Sequence, residues 1–288
     1  MNSVTRVIRN IEQPNNGVLP LSKFRVHNIG GDIIKCDKIP PILVGKVVDS
    51  MLHVTIRSNK EKLFRSSISG YNKRIEYFAR QFSYNNGFEF ESKRIEQEDG
   101  MFNVYSLINR LDGYMKEFKF YELAICLSLI HQYDIWDSQF SYMSTTSSIV
   151  SSRPRYFTKG DIRKIVQLYK RTLDWLCKIM GKENITFDYK FYPDGYTQNI
   201  QYGVGDFICN NMLIDLKCIQ SNPTTISTLQ ILTYYVMGLH SNNKLYKNIS
   251  SIGIYSPILN KLWYLGINSI PNESIKFVED SVLEYSKW

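Results

Sequence analysis

The stretch Tyr202-Gly203-Val204-Gly205-Asp206-Phe207-Ile208-Cys209-Asn210-Asn211-Met212-Leu213-Ile214-Asp215-Leu216-Lys217 carries the most information about the fold. Asn tolerates positive φ, so Asn210-Asn211 suits a two-residue primed turn between two short apolar runs. Such a turn pairs Cys209 with Met212, Ile208 with Leu213, Phe207 with Ile214 and Asp206 with Asp215. Side chains alternate along a strand, so Asp206, Asp215 and Lys217 project from one face. Directly opposed Cβ atoms lie about 4.5–5.5 Å apart, where like charges repel. Both strands are otherwise apolar on both faces, which marks a buried sheet. Two opposed carboxylates and a lysine in such a place are expensive unless something compensates. A divalent cation bridging the carboxylates does so, and hard oxygen ligands favour magnesium or manganese. Two alternatives stand beside this reading. Asp215 and Lys217 can form a structural ion pair near a strand end, and a register one residue off separates the carboxylates.

The residues around this hairpin place it in a larger pattern. Ile185 to Phe191 alternates as a strand should, and Pro193-Asp194-Gly195 is turn chemistry. Thr197 to Cys209 and Met212 to Ile219 are two more strand candidates. A helix is expected at about 223–240, with Asn222 as N-cap and Pro223 at the first helical position. Strands Ile252 to Tyr255 and Lys261 to Ile267 then flank the turn Pro257 to Asn260. Runs of strands broken by one helix indicate an α/β (α+β) class with a mixed sheet flanked by helices. Upstream, residues 1–40 read as loop with one short hairpin. Apolar spacings of three and four predict helices from Ile42, over 60–81, 102–136 and 159–180, with the Ser- and Thr-rich 141–152 as a loop. The expected organisation is a loop and helical region at 1–180 and a sheet-bearing core at 181–288, the helical portion from 42 preceding that core or inserted into it.

The chain has 288 residues, 43% hydrophobic and 22% charged, which excludes a mainly disordered or fibrous protein. Its longest near-apolar run, Leu123 to Ile130, is far short of the roughly 20 residues of a membrane span. The start, Met1-Asn2-Ser3-Val4-Thr5-Arg6, lacks the apolar core of a signal peptide, so a cytoplasmic protein is expected. Five scattered cysteines form no Cys-x-x-Cys pair and indicate neither a disulfide framework nor a zinc ribbon. The formal net charge of +8 favours polyanions through phosphate neutralisation and counterion release.

On the helix after the hairpin, Gln230 and Tyr234 are spaced i, i+4 and share one face. The order Asp206, then Asp215-Leu216-Lys217, then Gln230-x-x-x-Tyr234 resembles the PD-(D/E)XK nuclease superfamily, and the Gln-x-x-x-Tyr element its RecB-like, lambda-exonuclease-type branch. The resemblance covers about residues 185–267. It implies a restriction-endonuclease-like core and metal-dependent hydrolysis of phosphodiester bonds. By the resemblance, Asp206 and Asp215 hold Mg²⁺ or Mn²⁺, with the Leu216 backbone carbonyl as a further ligand. Lys217 orients or activates the attacking water, and Gln230 and Tyr234 position the lysine or the DNA backbone. A metal lowers the pKa of bound water and neutralises the transition state, which agrees with the residue chemistry. The literal Pro193-Asp194 dipeptide sits in a turn-like Tyr-Pro-Asp-Gly, so Asp206 is preferred. Related nucleases carry a further acid or His on an earlier core helix. The nearest match is Gly45-Lys46-Val47-Val48-Asp49 with His53 one turn later, which makes Asp49 a further metal-ligand candidate or an ordinary polar helix position.

Basic residues cluster at 153–171 (Arg153, Arg155, Lys159, Arg163, Lys164, Lys170, Arg171) and at 57–80, where Arg57, Lys60 and Arg65 lead. Beside a nuclease core these are expected to contact nucleic-acid phosphates, and without one they are solvated helix faces. No P-loop is visible, so no ATP hydrolysis is expected. A stand-alone nuclease of this kind would fit phage, plasmid or host-defence use by analogy. The competing class is a catalytically inactive nucleic-acid-binding or protein-interaction module on a nuclease-like fold. The intact Asp206, Asp215 and Lys217 argue against it, because decay commonly removes one of them.

Overall fold

In the computed structural model, residues 2–36, 39–56, 64–73, 104–117, 119–140, 158–180 and 185–285 are described. They divide into a sheet unit, Met1–Lys35 with Arg171–Trp288, and a helical unit, Cys36–Lys170. In chain order the helical unit therefore interrupts the sheet unit, and the first 35 residues belong with the sheet rather than with the helices.

The elements of the sheet unit are α1 (Val4–Asn10), β1 (Arg25–Asn28), β2 (Thr186–Tyr189), β3 (Gly205–Cys209), β4 (Met212–Leu216), a long helix Thr225–His240, β5 (Ser251–Ser256), β6 (Lys261–Gly266) and a C-terminal turn of helix, Asn272–Phe277, continuing into a π-helix at Val278–Leu283. The six strands form one mixed sheet in the order β1-β6-β5-β4-β3-β2. Only β4 and β5 run parallel, because the long helix lies between them and carries the chain back across the sheet. Among the described residues of 1–40 the expected short hairpin does not form. β1 pairs instead with β6, Val26 opposite Trp263, so its partner lies more than two hundred residues away in sequence. The long strand expected from Thr197 is ordered as β only from Gly205. Before it, the Val4 amide donates to the Tyr202 carbonyl at 3.0 Å and pins the start of α1 to this segment.

The long helix begins two residues later than expected. Thr224 is its N-cap, its hydroxyl accepting from the Ser227 amide, while Asn222 and Pro223 lie outside. A hydroxyl three residues ahead of an orphan amide suffices to start a helix, and Pro223 then only needs its fixed φ. This helix packs on one face of the sheet with α1, around Ile8, Ile208, Leu213, Leu232, Ile252 and Trp263. On the other face Trp175 stacks on Tyr255 with ring centroids 3.9 Å apart and meets Phe207 edge-on at 6.4 Å.

The helical unit contains α2 (Pro41–Ile56), a helical segment at 65–73, α3 (Val104–Lys116), α4 (Phe120–Phe140) and the first part of α5 (Lys159–Met180). The long helix Thr225–His240 is accordingly α6. The helical stretch expected over 102–136 is two helices. The first ends where the Lys119 amide closes back on the Tyr114 carbonyl at 2.8 Å. Val44, Val47, Val48, Met51, Leu52, Leu111, Leu123 and Leu127 are buried there, and Ser50 Oγ lies 2.6 Å from His131 Nε2 in the same interior. The expected loop at 141–152 and most of 60–81 lie outside the described residues. No helix among the described residues is long and apolar enough to cross a membrane.

Candidate active site

The hairpin register is the one the turn dictates. Phe207 faces Ile214, Ile208 faces Leu213 and Cys209 faces Met212. Asn210 and Asn211 have φ of 45° and 59°, as a primed turn requires. There is no slip, so the two acids reach the α6 side of the sheet together with Ile208 and Leu213.

Asp206 is half-buried, and its carboxylate accepts a hydrogen bond from the Leu216 backbone N–H at 2.5 Å. The bond ties the two strands beyond their last paired residues. Asp215 is only 1% exposed. Lys217 follows β4, its amide held by the Tyr255 carbonyl at 2.9 Å. Its Nζ donates to Asp215 Oδ1 at 3.1 Å and to Gln230 Oε1 at 3.0 Å. Gln230 Nε2 in turn donates to the Tyr234 hydroxyl at 2.9 Å. The expected residues thus form one hydrogen-bonded chain, Asp215–Lys217–Gln230–Tyr234. Gln230 and Tyr234 are buried because α6 turns their shared face onto the sheet, so neither marks a solvated edge.

The structural ion pair considered for Asp215 and Lys217 is present, yet it leaves the carboxylate incompletely served. Asp215 Oδ2 lies 2.9 Å from Nζ but has no hydrogen bond of good geometry among the described residues. Burial raises the Asp215 pKa, and the Lys217 charge offsets only part of that rise. Burial acts downward on Lys217, but the charges of Asp215 and Asp206 outweigh it and hold the ammonium protonated. The Tyr234 hydroxyl is pushed up by burial, reinforced by the charges of both acids. Asp206 and Asp215 therefore act on the same lysine and the same tyrosine.

The remaining expected residues lie elsewhere. Asp49 is on α2 in the helical unit, its Oδ1 3.4 Å from Nε2 of His53 one turn on. Asp194 is exposed and accepts from the Asn242 side-chain amide. Arg163 and Arg65 are exposed and Lys164 is half-buried, all three in the helical unit. Arg57, Lys60, Arg153 and Arg155 lie outside the described residues. Arg171, counted with the basic face, is used inside the sheet unit, where it donates to the carbonyls of Pro257 at 2.9 Å and Asp32 at 2.8 Å. Among the described residues no group of three or more His, Cys, Asp or Glu side chains converges as a metal-ligand set.

Sequence reasoning missed two residues beside this hydrogen-bonded chain. Arg9, at the end of α1, places a positive charge close enough to act on Lys217. Nothing local marks it, because α1 reaches the site through the Val4–Tyr202 contact. Tyr189 is the second. Strict alternation along 185–191 puts it on the side of Phe187, away from the acids. Asp188, at φ 49°, breaks the alternation, and Tyr189 joins Ile208, Leu213 and Tyr234. Compared with known proteins, the chain matches no family model, no curated protein and no solved structure.

Proposed function

We propose that the chain is a magnesium- or manganese-dependent nuclease that hydrolyses DNA phosphodiester bonds on a PD-(D/E)XK-like core. The observation that carries this reading is a buried carboxylate oxygen, Asp215 Oδ2, left without a hydrogen bond at the head of the Asp215–Lys217–Gln230–Tyr234 chain. The Lys217 ammonium lies 2.9 Å from that oxygen without a hydrogen bond of good geometry, which leaves the buried carboxylate room for a further cation. Two carboxylates with the Leu216 carbonyl fit magnesium, which usually keeps several waters and takes one or two protein carboxylates. When bound, the ion supplies a lower pKa for water and charge neutralisation at the phosphate.

The side chains divide the remaining work. Asp206 and Asp215 hold the cation. Lys217, kept charged by both acids, directs its ammonium at the attacking water and the developing phosphate charge. Gln230 fixes the lysine by accepting from Nζ, and Tyr234 fixes Gln230 by accepting from its amide. Nucleic acid is bound by the cationic residues Arg163, Lys164 and Arg65, together with Arg57, Lys60, Arg153 and Arg155.

The test is incubation of the full chain with linear, circular and single-stranded DNA, and with RNA, with and without Mg²⁺ or Mn²⁺. Cleavage is expected only with metal, and Asp215→Ala or Lys217→Met should lower it by about 100-fold or more. Cleavage that is unchanged in both variants overturns the assignment. A folded chain that binds DNA, takes up no metal by calorimetry and leaves every substrate intact would instead be the non-catalytic module.

A further inference from the structure

Tyr192 and Tyr202 are 58% and 56% exposed, although the backbone at both is fastened. The Tyr202 carbonyl accepts from the Val4 amide at 3.0 Å, and its amide donates to the Asn2 carbonyl at 3.2 Å. The Tyr192 carbonyl accepts from Ser241 Oγ at 2.9 Å, and its ring lies 4.7 Å from that of Tyr196. Each is therefore a large aromatic side chain held at its root and open to water on the outside.

Both stand at the end of the sheet that carries the site. Tyr189 pairs with Gly205 where β2 runs antiparallel to β3, so the chain leaving β2 and the chain entering β3 meet at one end. Asp206 opens β3 and Lys217 follows β4 at that same end. Tyr196 donates its hydroxyl to the Gly203 carbonyl at 2.5 Å, next to Tyr202. Burial pushes that hydroxyl up to about 12, and the nearby Tyr192 and Tyr202 add to the rise. At Gly203 a Cβ would stand 2.6 Å from Val4 Cγ2 and 3.7 Å from Tyr234 Cε1, so glycine lets α1 and α6 close on this segment. Tyr234 then leads through Gln230 to the Lys217 ammonium. A continuous run of contacts joins both exposed residues to the site.

A flat π face open to water suits a second flat π system. The bases of a duplex already stack on one another, whereas an unpaired base has a face to offer. Charge separates such a strand from an apolar protein segment. The α1 helix, whose first residue is fastened to Tyr202, carries the exposed Arg6 and Arg9, and Arg9 acts on Lys217. Asp194, in the turn between Tyr192 and Tyr196, is engaged by the Asn242 side-chain amide. Aromatic rings beside cations match an unpaired polyanionic strand.

We propose that Tyr192 and Tyr202 form a stacking platform for unpaired bases, so that the strand delivered to the acids is single-stranded nucleic acid. The ligand class rests on the nuclease reading above, but the platform does not depend on hydrolysis. Bases stack on the two rings while the phosphates pass Arg6 and Arg9 toward Lys217.

The test is equilibrium binding of the full chain, in chelator, to an oligothymidine of about 12 nucleotides and to the matching duplex. Tyr192→Leu and Tyr202→Leu keep apolar bulk and lose the ring. Each should bind the single strand about fivefold or more weakly, with duplex affinity and the salt slope unchanged, since stacking neutralises no phosphate. Tyr192→Phe and Tyr202→Phe keep the ring and should bind as wild type does. Leu variants that bind the single strand normally, or lose duplex affinity equally, overturn the platform, as do Phe variants that lose as much as Leu. An abasic strand of the same length puts the question to the unaltered chain. It should bind wild type about as weakly as the thymidine strand binds the Leu variants, and equal affinity of the two strands overturns the platform. A chain that shows the expected binding but cuts nothing with Mg²⁺ or Mn²⁺ overturns the nuclease reading and leaves the platform standing. Metal-dependent cutting that Asp215→Ala abolishes, with normal binding in every tyrosine variant, does the reverse. A chain that binds neither strand overturns both.

Discussion

Asp215 is the residue on which the electrostatics of the site turn. Burial raises its pKa above the ordinary 3.8, so the folded chain keeps a proton that the unfolded chain releases. The folded state then binds more protons than the unfolded state across that interval. Stability without metal should accordingly fall as pH rises from about 3.8 through the raised value. Magnesium bound to the carboxylate should remove that fall. Melting curves taken over this range with chelator and with magnesium measure both effects, and identical slopes in the two series would count against a cation at Asp215. Asp206 differs in having a neutral partner, the Leu216 amide, which an asparagine oxygen can equally serve. Asp206→Asn should therefore melt no lower than wild type without metal, because it removes repulsion between the acids and keeps the strand tie. The same variant should lose most of the melting increase that magnesium gives the wild type by preferential binding to the folded state.

Two elements hold the site in register, and each has a local device that can be tested separately. The turn Asn210-Asn211 holds both residues at positive φ, which costs most L-residues roughly 1–2 kcal/mol. Asn211→Ala should lower stability by about 1 kcal/mol in urea titrations, while Asn211→Gly should leave it unchanged or higher. A loss in Asn211→Ala should also reduce metal response, since a loosened turn lets the carboxylates part. On α6 the N-cap Thr224 positions the first turn of the helix that carries Gln230 and Tyr234. Thr224→Ala should cost about 1 kcal/mol and Asn222→Ala close to nothing, which separates the cap seen in the structure from the one expected from sequence. The register was legible because turn conformation and the two-residue period of a strand are local properties. The cap was misplaced because Asn222, Thr224 and Pro223 all suit a helix start, and only packing selects among them.

At the scale of the whole chain, the sheet unit supplies the acids, lysine, glutamine and tyrosine, and the helical unit supplies exposed cationic residues such as Arg163 and Arg65. On the proposed reading the net charge of +8 serves binding rather than folding. Arg163→Ala combined with Lys164→Ala should weaken DNA binding about equally for all sequences. Each phosphate that is no longer neutralised should reduce the slope of log affinity against log salt by about 0.9. Equilibrium binding at several salt concentrations gives that slope, and an unchanged slope would assign these residues to a solvated face. Arg171→Ala, by contrast, should act on stability and not on the slope, because its guanidinium is spent on the Pro257 and Asp32 carbonyls.

What the sequence determined alone was the hairpin, its turn, the shared face of Asp206, Asp215 and Lys217, and the i, i+4 pairing of Gln230 with Tyr234. All of these follow from dihedral preferences and short periodicities within about thirty residues of chain. Tertiary structure decided the rest. It set β1 against β6 across the length of the chain and joined residues 1–35 to the sheet. It also turned Tyr189 toward Tyr234 through one positive φ at Asp188 and the bare backbone of Gly205. These outcomes depend on contacts between segments far apart in sequence, where local periodicity carries no information about which surface will be met.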